Sequence, residues 1–145
     1  MGRRSIHSPE ELRQLILDAS RNIIEQHGIA GLSAREIARA IGYSPGTIYN
    51  TFSNLDDVLV NVQVQLLERV HEDLKNVQAN DDVLSYIEAL TQAYVRFAID
   101  NRRLWNLLFA HTLPVSMAAP VALQDHVDAM VDLVNSAFSQ IDPTE

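Results

Sequence analysis

Apolar residues recur every three or four positions along nearly the whole chain, without sustained two-residue alternation or a hairpin dipeptide, and that period predicts an all-α protein. The first helix opens at Ser8-Pro9-Glu10-Glu11, where Ser8 is placed to cap, Pro9 suits the first helical position and Glu11 closes a capping box. Leu12, Leu15, Ile16, Ala19 and Ile23 form its predicted inner face, and Gly28 its end. A second capping box, Ser33-Ala34-Arg35-Glu36, starts a short helix carrying Ile37, Ala38 and Ile41 and ending at Gly42. A third start follows at once, with Ser44 as cap and Pro45 in the first position, leading into Gly46-Thr47-Ile48-Tyr49. Two short helices joined by Gly42-Tyr43 have the form of a helix-turn-helix.

The pattern then lengthens. Asn54, Asp56 and Asp57 start a long helix with Leu55, Leu59, Val62, Leu66, Val70, Leu74 and Val77 along one side. Asn80-Asp81 marks a break, and Val83, Ile87, Leu90, Tyr94 and Ala98 carry the next helix to Asp100-Asn101. A short apolar segment runs from Leu104 to Ala110, and Pro114 and Pro120 bracket a loop. The last helix carries Val127, Met130, Val131, Val134, Phe138 and Ile141.

At 145 residues and 47% hydrophobic, the chain suits one compact domain or two small helical units sharing the long helix. The absence of cysteine excludes disulfides, thiolate nucleophiles and Cys-ligated metals. No apolar run is long enough to cross a bilayer, and Met1-Gly2-Arg3-Arg4-Ser5 is not followed by the apolar stretch of a signal peptide, so the cytoplasm is the expected compartment. The net charge of −8 argues against nucleic acid until its distribution is considered. Residues 1–50 hold six arginines (Arg3, Arg4, Arg13, Arg21, Arg35, Arg39) against five acids, whereas residues 51–145 hold five basic groups against fourteen acids. Phosphate binding needs local basic groups, not a basic whole.

A helix-turn-helix lays its second helix N-terminus first in the major groove. Here that end is Ser44-Pro45-Gly46-Thr47, in which Ser44, Gly46 and Thr47 are small enough for close backbone approach. Tyr49 and Thr51 would project toward phosphates or a thymine methyl, and Asn50 can pair with an adenine edge. Ser33 and Arg35 would fix register on the backbone, and Arg3 and Arg4 would form a basic arm. Ile48 and Phe52 belong to the core.

Two other patterns point elsewhere. Gly42-Tyr43-Ser44-Pro45-Gly46 matches the nucleophile elbow of serine hydrolases, but that elbow needs a preceding strand and a sheet, so no enzyme activity is expected. Glu68 and His71 have the i, i+3 spacing of a metal-binding pair. A dinuclear bundle site needs a second such pair, which the chain lacks, so no metal or other cofactor is assigned. Asp125, His126, Asp128 and Asp132 interleave with the last helix's apolar stripe as its polar side.

Residues 12–59 resemble the TetR family of regulators. The resemblance rests on Ile16-Leu17-Asp18-Ala19, Gly28, Leu32-Ser33, Arg35-Glu36-Ile37-Ala38 and Ile41-Gly42-Tyr43-Ser44-Pro45-Gly46-Thr47-Ile48-Tyr49, completed by Phe52, Asn54 and Leu59. More loosely, Tyr94-Val95-Arg96-Phe97-Ala98, Leu104-Trp105 and Leu107-Leu108-Phe109 are similar to one subgroup's ligand domain. The resemblance implies a three-helix DNA-binding head at 9–69, joined by the long helix to a ligand-binding and dimerisation domain at 70–145. It implies a homodimer on a palindromic operator, and repression relieved by a small molecule. Tyr94, Phe97, Trp105, Phe109, His111, Met117 and Met130 are the expected ligand contacts. Two departures stand out. Members usually carry a phosphate-contacting lysine where this chain has Leu55, and they are usually longer, leaving Val121 to Ile141 to serve the dimer. The alternative reading is a helical protein-interaction module whose head has lost DNA binding.

Overall fold

A computed structural model of the chain describes residues 6–79, 81–111 and 121–139. Among them are seven α-helices and one 3-10 turn, and no strand. Helices α1 (Pro9–His27), α2 (Ala34–Ile41) and α3 (Pro45–Thr51) form the head, and α4 (Leu55–Lys75) leaves it. Helices α5 (Val83–Asp100), α6 (Arg102–Ala110) and α7 (Val121–Phe138) pack around the rest of α4.

Local chemistry sets most of the boundaries. The Ser8 hydroxyl accepts from the Glu11 amide at 3.1 Å while the Glu11 carboxylate accepts from the Ser8 amide at 2.6 Å, a closed capping box. Gly28 ends α1 with φ +75°, a conformation that costs other residues strain. Asn54 caps α4 by accepting from the Asp57 amide at 2.8 Å.

Two expected caps differ. Ser33 accepts from the Glu36 amide at 3.1 Å, but the Glu36 carboxylate turns to Arg39 at 3.2 Å, so only half of that box forms. The Ser44 side chain caps nothing in α3. The Thr47 amide is taken by the Ser44 carbonyl at 3.0 Å, and the hydroxyl pairs instead with the Thr47 hydroxyl at 3.2 Å.

The head core comprises Ile16, Ile24, Ile37, Ile48 and Phe52, each at most 1% exposed. Each such side chain stabilises the fold by about 1.5–3 kcal/mol. The inner face of α1 is turned slightly from the expected one. Ile16, Leu17, Ser20 and Ile24 are buried, while Leu12, Ala19 and Ile23 pack at its margin. Ser20 is tolerated there because its hydroxyl donates to the Ile16 carbonyl at 2.6 Å.

Helix α4 buries the expected Leu59, Val62, Leu66, Val70 and Leu74, and also Val58, Val60, Gln63 and Leu67, because α1, α5, α6 and α7 all pack on it. Gln63 is satisfied by donating to the Leu107 carbonyl at 3.0 Å. One continuous core therefore runs from α1 to α7, and the expected boundary at 69/70 falls inside α4.

Helix α5 buries Tyr86, Leu90 and Phe97, while Tyr94, on the expected inner stripe, is 37% exposed. The expected stripe of α7 is likewise open. Val127, Val131, Val134 and Phe138 are exposed, and the helix is seated by Ala137 with Met130 and Leu133. The reason is an apolar cleft between α5 and α7 that is open on that side. Asn80, Pro114, Pro120 and Ile141 lie outside the described residues.

Candidate nucleic-acid interface

The turn between α2 and α3 is built at Gly42, which takes a left-handed conformation (φ +74°, ψ 30°). Its amide and that of Tyr43 both close on the Ala38 carbonyl. Pro45, with no amide hydrogen to leave unpaired, starts α3 in the new direction. Ile48 and Phe52 hold α3 to the core. The Arg13 guanidinium lies 4.4 Å above the Phe52 ring and donates to Asn61 at 2.6 Å, while Asn61 donates to the Asp57 carbonyl at 2.7 Å. This chain of contacts fixes α3 against both α1 and α4.

The opposite side of α3 faces solvent. Ser44, Pro45, Gly46, Tyr49 and Asn50 are exposed, with Tyr49 at 57%. Gly46 has no positive φ, and a Cβ added there would meet only the Ser44 hydroxyl at 3.8 Å. Thr47 and Thr51 are half-buried, and the Thr51 hydroxyl donates back to the Thr47 carbonyl at 3.0 Å. Ser33 is half-buried at the start of α2, where its hydroxyl accepts the Glu36 amide and keeps its own hydrogen to donate. Arg35 is exposed beside it. Ser33 thus caps α2, Arg35 lies on α2, Ser44 ends the turn, and Pro45, Gly46, Thr47, Tyr49, Asn50 and Thr51 lie on α3. Arg3 and Arg4 lie outside the described residues.

One contact had no signal in the pattern. His7 Nδ1 lies 2.7 Å from the Tyr43 hydroxyl, tying the segment before α1 to the turn. Their separation along the chain leaves no periodicity to read.

The residues expected to meet a ligand divide into groups. Tyr94 and Met130 line the α5–α7 cleft, which holds about 430 Å³ above Leu74. Trp105 meets Tyr94 edge-on at 5.1 Å and Phe97 at 6.1 Å, and lies 6.0 Å from the exposed Phe109. Phe97 is buried beneath the Arg69 guanidinium at 5.7 Å, away from the cleft. His111 Nε2 pairs with Asp56 at 2.8 Å, between the end of α6 and the start of α4. Met117 lies outside the described residues. Ile87, Leu90, Val134 and Phe138 also line the cleft. Their apolar character gave no more than a core assignment from sequence. Among the described residues no helix is long and apolar enough to cross a membrane. Ser44 follows a helix rather than a strand, which is not the setting of a nucleophile elbow.

Comparison with known proteins bears on both halves. Residues 16–62 match the family model of bacterial regulatory proteins of the tetR family. The chain is 29% identical over 118 residues to the HTH-type transcriptional regulator Rv1816 of Mycobacterium tuberculosis, covering 77% of this chain and 49% of that relative. It thus spans about half that protein's length. Among solved structures, a protein of unknown function from Rhodococcus sp. RHA1 superposes with a TM-score of 0.74 at 25% identity, over 95% of this chain and 72% of the other. The fatty acid degradation regulator FadR from Bacillus halodurans shares the fold, with a TM-score of 0.67 at 20% identity over 94% and 69% of the two chains. The stretch that carries α2, α3 and the turn between them is thus similar to the bacterial regulatory proteins of the tetR family.

Proposed function

We propose that this chain is a DNA-binding transcriptional regulator that presents α3 to the major groove. The observation that carries the reading is the two-sidedness of α3. Ile48 and Phe52 are 1% exposed, while Tyr49 and Asn50, on the same two turns, face solvent beside an open N-terminus. In this reading Ser33, Arg35, Ser44 and Tyr49 hold phosphates, Thr47 and Thr51 border the duplex, and Asn50 reads a base edge. Pro45 and Gly46 let the backbone approach, and Arg3 and Arg4 add a basic arm. Two copies paired through their C-terminal helices would set two α3 helices about 34–36 Å apart, on half-sites of a palindrome.

The α5–α7 cleft supports the regulatory half. Its volume lies within the range of roughly 300–1,000 Å³ common for ligand sites, and its lining is almost wholly apolar. The ligand class is a small apolar molecule seated against Tyr94, Met130 and Phe138. A ligand that prefers one head spacing over another shifts the population between DNA-competent and released states, and repression with release is the favoured logic.

Selection of bound duplexes from a random pool tests the reading. A palindromic consensus is expected, with affinity falling linearly in log salt by about 0.9 per phosphate contacted. No enrichment, or binding indifferent to salt, overturns it in favour of a protein-interaction module.

A further inference from the structure

His7 stands just before Ser8, the cap of α1, and Tyr43 just before Ser44 at the start of α3. His7 Nδ1 lies 2.7 Å from the Tyr43 hydroxyl, and the two rings are 6.0 Å apart between centroids, tilted by 48°. A phenol both donates and accepts, so the contact survives a change of charge. A neutral ring can accept from the hydroxyl through Nδ1, and a charged ring donates to it. Tyr43 thereby anchors the imidazole beside α3 in either state. His7 also borders an open groove of about 490 Å³ between the start of α1 and the end of α3, with Asn50 and Thr51 in the same lining. The charged groups of that lining are Glu10 and Arg13, which offset each other, so the proton on His7 decides whether the groove is neutral or positive. Helix α3 brings only the uncharged Asn50 and Thr51 to it. Glu11 also feels the charge on His7, but its carboxylate is engaged by the Ser8 amide at 2.6 Å.

We propose that His7 is a proton-dependent phosphate contact, which grips the duplex backbone at the groove between α1 and α3 when its ring is charged. The inference rests on the proposed role of α3 and adds a contact from outside the two helices of the motif. Histidine is the side chain whose ordinary titration falls between about pH 5 and 8. A neighbouring phosphate favours the charged ring, so proton uptake and DNA binding are linked with a fixed sign. Duplex affinity rises as pH falls through that range and is lowest where the ring is neutral. His7 is half-buried, so water and salt screen the pair, and the gain is roughly two- to fivefold per head. One more phosphate contacted also releases one more counterion, which steepens the log-affinity against log-salt slope by about 0.9 per head.

The test uses the full chain and the selected duplex, with salt titrations followed by fluorescence anisotropy at about pH 8 and about pH 6, inside histidine's range. The parent should bind more tightly and with a steeper salt slope at the lower pH. His7→Gln should match the parent at the higher pH and lose most of the gain at the lower one. His7→Lys, charged throughout, should show the steeper slope at both. His27→Gln, at an exposed histidine at the other end of α1, should keep the parental profile. Circular dichroism establishes that each variant is folded, and if His7→Gln fails to fold, His7→Lys carries the comparison. Parental pH dependence of the slope in a folded His7→Gln or His7→Lys overturns the proposal while leaving the role of α3 intact. Failure of the parent to bind any duplex at either pH overturns both.

Discussion

Adjacent residues on α3 offer a direct separation of fold from DNA recognition. Ile48 is 1% exposed within the head core, and Tyr49 is 57% exposed on the opposite side. Truncating Ile48 to alanine removes three buried carbons and leaves a cavity that α1 and α2 cannot fill, at a cost of about 2–5 kcal/mol. For a chain of this length each kcal/mol lowers the melting temperature by roughly 2–4 °C, so Ile48→Ala should melt on the order of 5–15 °C early. Tyr49→Ala removes a side chain that is already mostly in water, and its stability should change by roughly 0.5–1 kcal/mol at most. In the DNA complex the same truncation forfeits a hydroxyl contact to a charged phosphate worth about 1.5–3 kcal/mol, a loss of roughly 10- to 150-fold in affinity. Circular dichroism melts and fluorescence anisotropy on the selected duplex, at one fixed salt concentration, measure both. A folded Tyr49→Ala with parental affinity, or an Ile48→Ala that melts like the parent, refutes the two-sided assignment of α3.

Three further outcomes follow from single positions. Leu55→Lys, at the half-buried first residue of α4, should add one phosphate contact, steepening the log-affinity against log-salt slope by about 0.9; an unchanged slope means this end of α4 does not approach DNA. Gly46→Ala has room for its methyl group in the free protein and should keep or slightly raise the melting temperature, yet weaken duplex binding where the backbone comes close; equal affinity means there is no close approach there. Hydrogen bonds from the Ser8 amide and hydroxyl hold the Glu11 carboxyl below its ordinary value of 4.5. Its contribution to the start of α1 is therefore present above pH 4.5 and lost as pH falls through the lower folded value, and Glu11→Gln should flatten that part of a pH–melting profile, whereas an unaltered profile rules out the linkage.

The head was legible because its instructions are local. Ser8 and Glu11 find each other across one turn, and Gly28, Gly42 and Pro45 act on their own backbone, so a few consecutive letters decide each boundary. The body was less so because burial there depends on which neighbour a helix meets. On α5, Tyr86 and Phe97 are buried while Tyr94 borders the open cleft, although all three fit a helical period. On α7 the small Ala137 makes the seat, while the larger Val131 and Phe138 border an open cleft. Contacts such as His7–Tyr43, His111–Asp56 and Glu68–His126 join residues from distant turns, and no period connects them. Ser44 stands at the N-cap of α3, but its hydroxyl pairs with the Thr47 hydroxyl because the Ser44 backbone carbonyl already takes the Thr47 amide.

Helix α6 is fastened at both ends, to the end of α1 and to the start of α4. Near its start, Arg103 donates to the Glu25 carbonyl at 2.9 Å and to the Gln26 carbonyl, the exposed acceptors at the end of α1; beyond its end, His111 meets Asp56. A strut pinned at two places cannot pivot alone. With 19 residues, α1 is a lever about 28 Å long held at its far tip. A tilt of only about 5° passed through Arg103 would swing the other tip, next to the recognition surface, by roughly 2–3 Å, more than the tolerance of a hydrogen bond. On the proposed reading of α3, a displacement of α6 would therefore be felt at the recognition surface as a larger one.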